Sequence, residues 1–344
     1  MNGQYTYTEI MTQTEAWSDA LVAFNAVASS LTSQWQTLNP TNVIFTGCGS
    51  THYLSLVAAS LFQQQTGIHS LACPASELLL FGETILKEPS ETLLVAISRS
   101  GTTTETLTAI SKFKEQGGTA VWTITCYPDS PMAEMSDIVL PAEAAQEVSL
   151  AQTRSFSSML LLAQALAAHI GGEDWSILHK LPEIGRNLLS KTEPLVQQIA
   201  SRQEVTRFTF LGSGSLFGVA SEAMMKMTEM SLTVAQVFHF MEYRHGPMSM
   251  ADEELAIIGL VSSTAALHEL QVLAEMADKG ATVISLAADG GDIELPANLP
   301  SWAMPVLYLP SLQLLSYHRA RFKELDSDNP RNLTAVIYLD ADVF

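Results

Sequence analysis

The sequence repeats itself once. Phe208-Thr209-Phe210-Leu211-Gly212-Ser213-Gly214-Ser215 echoes Val43-Ile44-Phe45-Thr46-Gly47-Cys48-Gly49-Ser50 at an offset of 165 residues, counted from Gly47 to Gly212. The run from Leu255 to Ser263 echoes the run that starts at Leu93, at an offset of 162. Ala281–Leu286 echoes Thr119–Ile124 at that same offset of 162. Three landmarks in order at nearly one spacing mean two similar units in one chain. The landmarks are short apolar runs of the kind that form strands buried on both faces. Strands alternating with helices make a parallel sheet covered on both sides. The expected class is α/β, with two doubly wound parallel sheets and helices on both faces of each. At 344 residues the chain has material for two cores. Residues 1–195 are read as N-terminal helices plus the first domain, and 196–344 as the second domain with a C-terminal tail that closes the site.

Within the first copy the reading is helices from Tyr7 to about Trp35, a strand from Asn42 into a Gly-rich turn, and a helix over 54–65. A strand near His69–Cys73 and a turn at Ala75-Ser76-Glu77-Leu78 follow. Further strands are expected at Thr119–Cys126 and Ser136–Leu140, then a helix at Met159–Ile170 and more helix to about Arg202. The central stretch is Leu93–Thr106. A buried strand gives way to Ser98-Arg99-Ser100-Gly101-Thr102-Thr103, and apolar residues at helical spacing come next. A helix start presents unpaired backbone N–H groups and a positive dipole end, which suits an anion. Ser98, Ser100 and Thr103 add hydroxyls, and Gly101 lets the backbone approach closely. The pattern also suits an ordinary capped turn; the density of hydroxyls favours phosphate. Ser50 and Thr51 lie at the end of the first strand. If the two strands are neighbours, the two loops converge. Only the first copy keeps the full hydroxyl loop, so one phosphate site per chain is expected.

Hydrophobic residues make up 47% of the chain and charged residues 15%, and the net charge is −19. That balance argues against nucleic acid or an anionic membrane as partner. It also requires an anionic substrate to be met by local donors. Cys48, Cys73 and Cys126 show no metal-ligand or redox-motif spacing and are read as reduced thiols. No metal and no cofactor is expected. The N-terminus has no signal-peptide pattern and no apolar run is long enough for a bilayer, which gives a cytoplasmic expectation.

Three more clusters carry chemistry. Glu222, Lys226 and Glu229 share one helix face, with Glu222 and Lys226 in the favourable order for an ion pair. A solvated charged face is one reading; the methionines at 224, 225, 227 and 230 favour a buried helix, where a carboxylate becomes a candidate acid/base. His245 stands before Gly246-Pro247, where a rigid turn can hold one orientation, although surface histidines are common. Asp326-Ser327-Asp328-Asn329-Pro330-Arg331-Asn332-Leu333-Thr334 follows a long segment read as amphipathic, and alone it reads as a surface loop.

Together the GCGST turn, the SRSG-x-T loop, the E-x-x-x-K-x-x-E helix, RHGP and DNPRNL resemble the sugar isomerase (SIS) family, across nearly all of the chain from Val43 to Thr334. The isomerase half of glucosamine-6-phosphate synthase and stand-alone SIS-type deaminases are the members it looks most like. The resemblance implies two SIS domains and a homodimer. It assigns Ser50, Thr51, Ser98, Arg99, Ser100 and Thr103 to the sugar phosphate, with Arg99 where the synthase has glutamine. Ala151 and Gln152 fall in a substrate-lining segment, and Glu222 and Arg331 join the substrate-binding set. Glu229 matches the carboxylate that moves a proton between C1 and C2, with Lys226 beside it on the helix. His245 matches the ring-opening histidine, which in the family reaches the neighbouring subunit's site. Composition supports association as well, because few charges and 14 methionines leave apolar surface.

Two departures from the family pattern matter. The chain begins Met1-Asn2-Gly3 without the synthase's N-terminal nucleophilic cysteine, so it is not expected to take nitrogen from glutamine by itself. After Asn332-Leu333 comes Thr334-Ala335, where the synthase carries its Schiff-base lysine. An imine acidifies the C–H to be broken. A substrate that already bears a C2 amine supplies that nitrogen itself. The expectation is therefore deamination of a 2-amino-sugar phosphate, foremost glucosamine 6-phosphate to fructose 6-phosphate and ammonia. The alternatives are a galactosamine/tagatose phosphate enzyme or a fructosamine phosphate deglycase, and a non-catalytic sugar-phosphate sensor.

Overall fold

The computed structural model describes residues 2–334, 336 and 337. The chain divides into two compact units. The first is built from Thr12–Glu147 and Gln152–Pro182; the second from residues 2–11, Val148–Ala151 and Glu183–Leu333.

In the first unit five parallel strands form one sheet: β1 (Asn42–Gly47), β2 (His69–Pro74), β3 (Thr92–Ile97), β4 (Ala120–Thr125) and β5 (Ile138–Pro141). Their order is β2-β1-β3-β4-β5. β3 and β4 are buried along their whole length, as unbroken apolar runs require. The helices Ser50–Thr66, Thr104–Glu115 and Arg154–Ile170 belong to this unit. So do residues 12–38 of the long helix Gln4–Leu38, which is one continuous element where separate helices were expected. Trp17 Nε1 donates to Ser157 Oγ at 2.8 Å and Trp122 Nε1 to Gln34 Oε1 at 3.0 Å, so the buried indoles keep a polar partner. The turn expected at residues 75–78 is instead a short helix, Ala75–Leu80. Pro74, extended at φ −58° and ψ 144°, stands at its cap, Glu77 lies in its first turn, and Leu78 and Leu79 are buried.

The second unit repeats the plan. β6 (Arg207–Leu211), β7 (Val234–Phe238), β8 (Leu255–Leu260), β9 (Thr282–Ala287) and β10 (Ile293–Glu294) are all parallel, in the order β7-β6-β8-β9-β10. Position for position this is the order of the first sheet, as the sequence offset requires. In such sheets the chain changes direction between the two central strands, here β1/β3 and β6/β8. Ligands bind outside the carboxyl ends of strands at that point.

The helix Pro305–Phe322 corrects an expectation. It is not amphipathic: residues 305–316, 319 and 320 are buried. A helix apolar nearly all round is a core helix. Arg319 is tolerated there because its guanidinium donates to the Ala200, Arg202 and Val205 carbonyls. Among the described residues no helix is long and apolar enough to cross a membrane.

Candidate active site

β1 and β3 are neighbours, with Thr46 opposite Ala96, so the loops that follow them emerge side by side. The first loop is closed by Thr51, whose Oγ1 accepts from Cys48 N and donates to Cys48 O, both at 2.9 Å. Gly47 cannot carry a side chain, because a Cβ there would lie 2.6 Å from Thr51 Oγ1 and 2.8 Å from Ile97 O. In the second loop Ser98 Oγ accepts from Gly101 N at 3.1 Å, and Ser100 Oγ accepts from Thr102 N at 3.2 Å and Thr102 Oγ1 at 3.0 Å. Ser98 and Thr103 hydroxyls lie 3.3 Å apart. Thr103 sits at the cap of the Thr104–Glu115 helix without a side-chain cap bond. Ser98 and Ser100 oxygens thus accept from the loop's own donors; Ser100 keeps its O–H to donate to an anion, and so does one of the Ser98 and Thr103 hydroxyls, the other donating within that pair. Gly101 takes φ +64°, and Met132 N donates to its carbonyl at 3.1 Å.

Arg99 is anchored at both ends. Its carbonyl accepts from Cys126 N at 3.1 Å and Thr125 Oγ1 at 3.2 Å. Its guanidinium lies 3.5 Å from Glu147, a carboxylate whose side chain is 0% exposed. Glu147 also accepts from Thr153 N at 2.6 Å, from Thr153 Oγ1 at 2.7 Å and from Ser155 Oγ. Gln152, just before Thr153, has its Oε1 buried with no hydrogen-bond partner among the described residues. Cys48 is held towards its neutral thiol form. Burial pushes its thiol up to about 11; the Thr106 hydrogen bond opposes that and nearby Glu105 adds to it.

In the second unit the helix Leu216–Ser231 carries the charged triad. Glu222 and Lys226 side chains are each 1% exposed and pair at 3.2 Å. Glu229 is 16% exposed and is also paired with Lys226. Burial pulls the lysine pKa down, but the charges and hydrogen bonds of Glu222 and Glu229 outweigh it and hold the ammonium above its ordinary range. The triad is therefore not a solvated face. It is a buried cation between two carboxylates, one of which remains within reach of solvent. Ala151 is a packing residue, buried against Met230 of this helix and Ala320. His245 is exposed on a turn, its N–H donating to Glu242 O at 3.0 Å. Arg244 fixes that turn through two bonds to Glu275, at 2.9 and 2.7 Å.

A family model described as the SIS domain matches residues 38–169 and again 203–293, together more than half of the chain. The chain belongs to the SIS domain family. Among curated proteins, a glutamine–fructose-6-phosphate aminotransferase (isomerizing) from Pseudomonas aeruginosa is 29% identical over 321 residues, which is 87% of this chain and 52% of that protein. One from Vibrio cholerae is 27% identical over the same shares. The chain thus spans about half the length of these relatives. Among solved structures, glucosamine-6-phosphate deaminase from Thermotoga maritima superposes with a TM-score of 0.87 at 27% identity, covering 98% of this chain and 100% of that one. Tagatose-6-phosphate ketose/aldose isomerase from Escherichia coli has the same fold, with a TM-score of 0.87 at 24% identity over 98% and 96% of the two chains.

The two SIS domains are not equivalent. The loop after β8 has a shorter run of hydroxyls, Ser262-Ser263-Thr264, and although Ser262 Oγ accepts from Ala265 N at 3.1 Å, Ser262 N donates to Glu269 Oε2 at 2.6 Å. Burial pushes the Glu269 carboxyl up, against the opposing pull of Ser262 and Ser213. An internal carboxylate thus stands among the donors of the second loop. The DNPRNL turn, read alone as a surface loop, is tied down. Asp328 accepts from Thr6 N at 2.7 Å, Thr6 Oγ1 at 2.8 Å and Tyr5 N at 3.2 Å, and Asp326 accepts from Gly3 N at 3.0 Å. Ser327 and Asp328 are buried, while Arg331 is exposed. Ala335, where the family pattern places its lysine, lies outside the described residues. Sequence reasoning missed Glu147 and Glu9, and it placed Asp328 in a surface loop where the structure buries it. Glu9 is 3% exposed and accepts from Val148 N at 2.6 Å and from Ser149, so it fixes the start of the segment read as substrate-lining. The partners of Glu9 and Asp328 lie far away in sequence, 139 and 322 positions off, whereas Glu147 binds Thr153 and Ser155 just downstream in a loop without helical or strand spacing to mark the pairing.

Proposed function

We propose that this SIS protein is a phosphosugar deaminase/isomerase that converts glucosamine 6-phosphate and water to fructose 6-phosphate and ammonia. The observation that carries the reading is the helix Leu216–Ser231. A buried ammonium fixes two carboxylates there, and only Glu229 is left partly exposed. A fixed, reachable carboxylate is what proton transfer between adjacent carbons needs. The likeness to the Thermotoga deaminase along both whole chains supports it.

In this reading the Ser98–Thr103 loop and the turn at Ser50-Thr51 hold the phosphate, and His245 assists ring opening. Glu229 removes the C2 proton of the open-chain amino aldose and returns a proton to C1. The C2 amine becomes a C2 imine; water adds, ammonia leaves, and the ketose phosphate remains. No lysine amine is required, because the substrate brings its own nitrogen. That agrees with Thr334-Ala335 standing after Asn332-Leu333.

A panel of glucosamine 6-phosphate, galactosamine 6-phosphate, glucose 6-phosphate, and fructose 6-phosphate with ammonium tests the reading. Glucosamine 6-phosphate should be turned over fastest, with ammonia released. Aldose–ketose interconversion of glucose 6-phosphate without any ammonia from the amino sugars would contradict it.

A further inference from the structure

We propose that Glu269 is the resident anion of the second SIS domain: its carboxylate takes, at the loop after β8, the place that a ligand's phosphate takes at the loop after β3, and so keeps free oxyanions out of the second domain. The inference rests on reading the Ser98–Thr103 loop as a phosphate site. The repeat lets the two loops be laid on each other residue by residue. Ser98 N donates to Ile124 O at 3.2 Å, and Val261 N donates to Leu286 O at 2.9 Å. Each bond joins the residue just after a central strand to the neighbouring strand, β4 or β9. Ser262 therefore stands where Arg99 stands, one residue further on. The loop of the first domain runs from Ser98 to Thr103, and that of the second is shorter, from Val261 to Ala265. It still carries Ser262, Ser263 and Thr264, the last two exposed. What differs most is the fourth residue of the helix that follows. In Thr104–Glu115 it is Leu107, packed against the apolar core. In Ala266–Ala277 it is Glu269, whose exposure is 1%.

A carboxylate in the place of a core leucine is unfavourable unless the site binds it. Glu269 Oε2 accepts from Ser262 N at 2.6 Å, and Ser262 and Ser213 together oppose the upward push that burial gives its pKa. Ser213 belongs to the turn after β6, the counterpart of the turn after β1, and β6 is the neighbour of β8. The carboxylate is thus met from both loops at the switch point of the second sheet, as the phosphate is read to be in the first. Its Oε1 is buried and has no hydrogen-bond partner among the described residues. A side chain that served only to cap its own helix would not bury a second charged oxygen without a donor. An oxyanion tethered into a site shaped for a free one reaches part of the donor set, and Oε1 is the oxygen left over.

Glu269→Ala removes the heavy atoms of one acetate and leaves the loop in place, so acetate is the probe. Wild type and variant, each as the whole chain, are unfolded thermally at about pH 8, above the ordinary carboxylate range, in sodium acetate and in sodium chloride of equal concentration. Any acetate held by the Ser98–Thr103 loop is common to both chains and cancels in the comparison. In chloride Glu269→Ala should unfold at a lower temperature than wild type. In acetate it should regain part of that loss, saturably, with an affinity for acetate roughly tenfold above that of wild type, the worth of a hydrogen bond to a charged group. Glu269→Gln fills the same space without the charge and should gain nothing in acetate over chloride. Folding of Glu269→Ala only when acetate is present would support the proposal as well. Equal behaviour of Glu269→Ala in the two salts, folded or unfolded, would overturn it and leave Glu269 a structural cap; so would an equal acetate gain in Glu269→Gln. Absence of inorganic phosphate binding by the wild-type chain would instead contradict the reading of the Ser98–Thr103 loop.

Discussion

Lys226 shows how a single side chain can set the chemistry of its neighbours. A fully buried ammonium is costly alone, and here two carboxylates compensate for it. Lys226→Met should leave those carboxylates without their cation and destabilise the fold by about 3–5 kcal/mol, read from urea unfolding. The pH dependence has a definite sign. The folded pKa lies above the free value of 10.5, so the folded chain holds this proton more tightly than the unfolded one. The contribution is complete below the unfolded pKa and is lost as pH rises through the folded value. The stability gap between wild type and Lys226→Met should therefore be flat across neutral pH and close only above about 10.5. Cys48 gives a second check at this scale. Its thiol is pushed to about 11 from an ordinary 9.0, so native Cys48 should be alkylated about a hundredfold more slowly than a free thiol at neutral pH. Rapid modification of the folded chain would contradict that environment.

At the scale of elements, the loop after β3 combines two requirements. Gly101 must adopt φ +64°, and a Cβ there would lie 2.0 Å from Ser130 Oγ. Gly101→Ala should cost at least about 1–2 kcal/mol from the left-handed backbone alone, with loss of phosphate binding measured on the folded fraction. Ser100→Ala should keep the fold but weaken sugar-phosphate binding by roughly 1.5–3 kcal/mol, the worth of one hydrogen bond to a charged acceptor. Wild-type affinity in Ser100→Ala would make the loop an ordinary turn. The loop was legible because its strand, hydroxyl run and helix start are consecutive residues. So was the triad, because helical spacing puts positions 222, 226 and 229 on one face. The tail turn was not legible. Asp328 is buried by Thr6, 322 positions away, and no local pattern reveals such a partner. The Pro305–Phe322 helix was misread for a related reason: Tyr308, Gln313, Ser316 and Arg319 look like a polar side until burial by other elements is known.

At the scale of the whole molecule, the repeat carried most of the fold. An offset of 162–165 residues predicted two like sheets, and both have the same strand order. The edge strands β7 and β10 had no counterpart in that reading. β7 alternates exposure as an edge does and β10 is only two residues long, so neither has the unbroken apolar run that marks a central strand. Duplication also explains divergence. One copy keeps the hydroxyl loop, and the other turns its loop onto Glu269. If His245 serves a neighbouring subunit, mixing inactive Glu229→Gln and His245→Ala chains should restore activity, approaching half of wild type per mixed dimer. Mixed dimers that form and stay inactive would assign His245 to its own chain or to no step at all. The most direct measurement of the central claim is simpler. Glucosamine 6-phosphate is given to wild type and to Glu229→Gln, and ammonia and fructose 6-phosphate are counted together. Wild type should release the two in equal amounts, and Glu229→Gln should bind the sugar phosphate yet turn it over about 10²–10⁴-fold more slowly. No ammonia from wild type, or undiminished release from Glu229→Gln, would contradict the account.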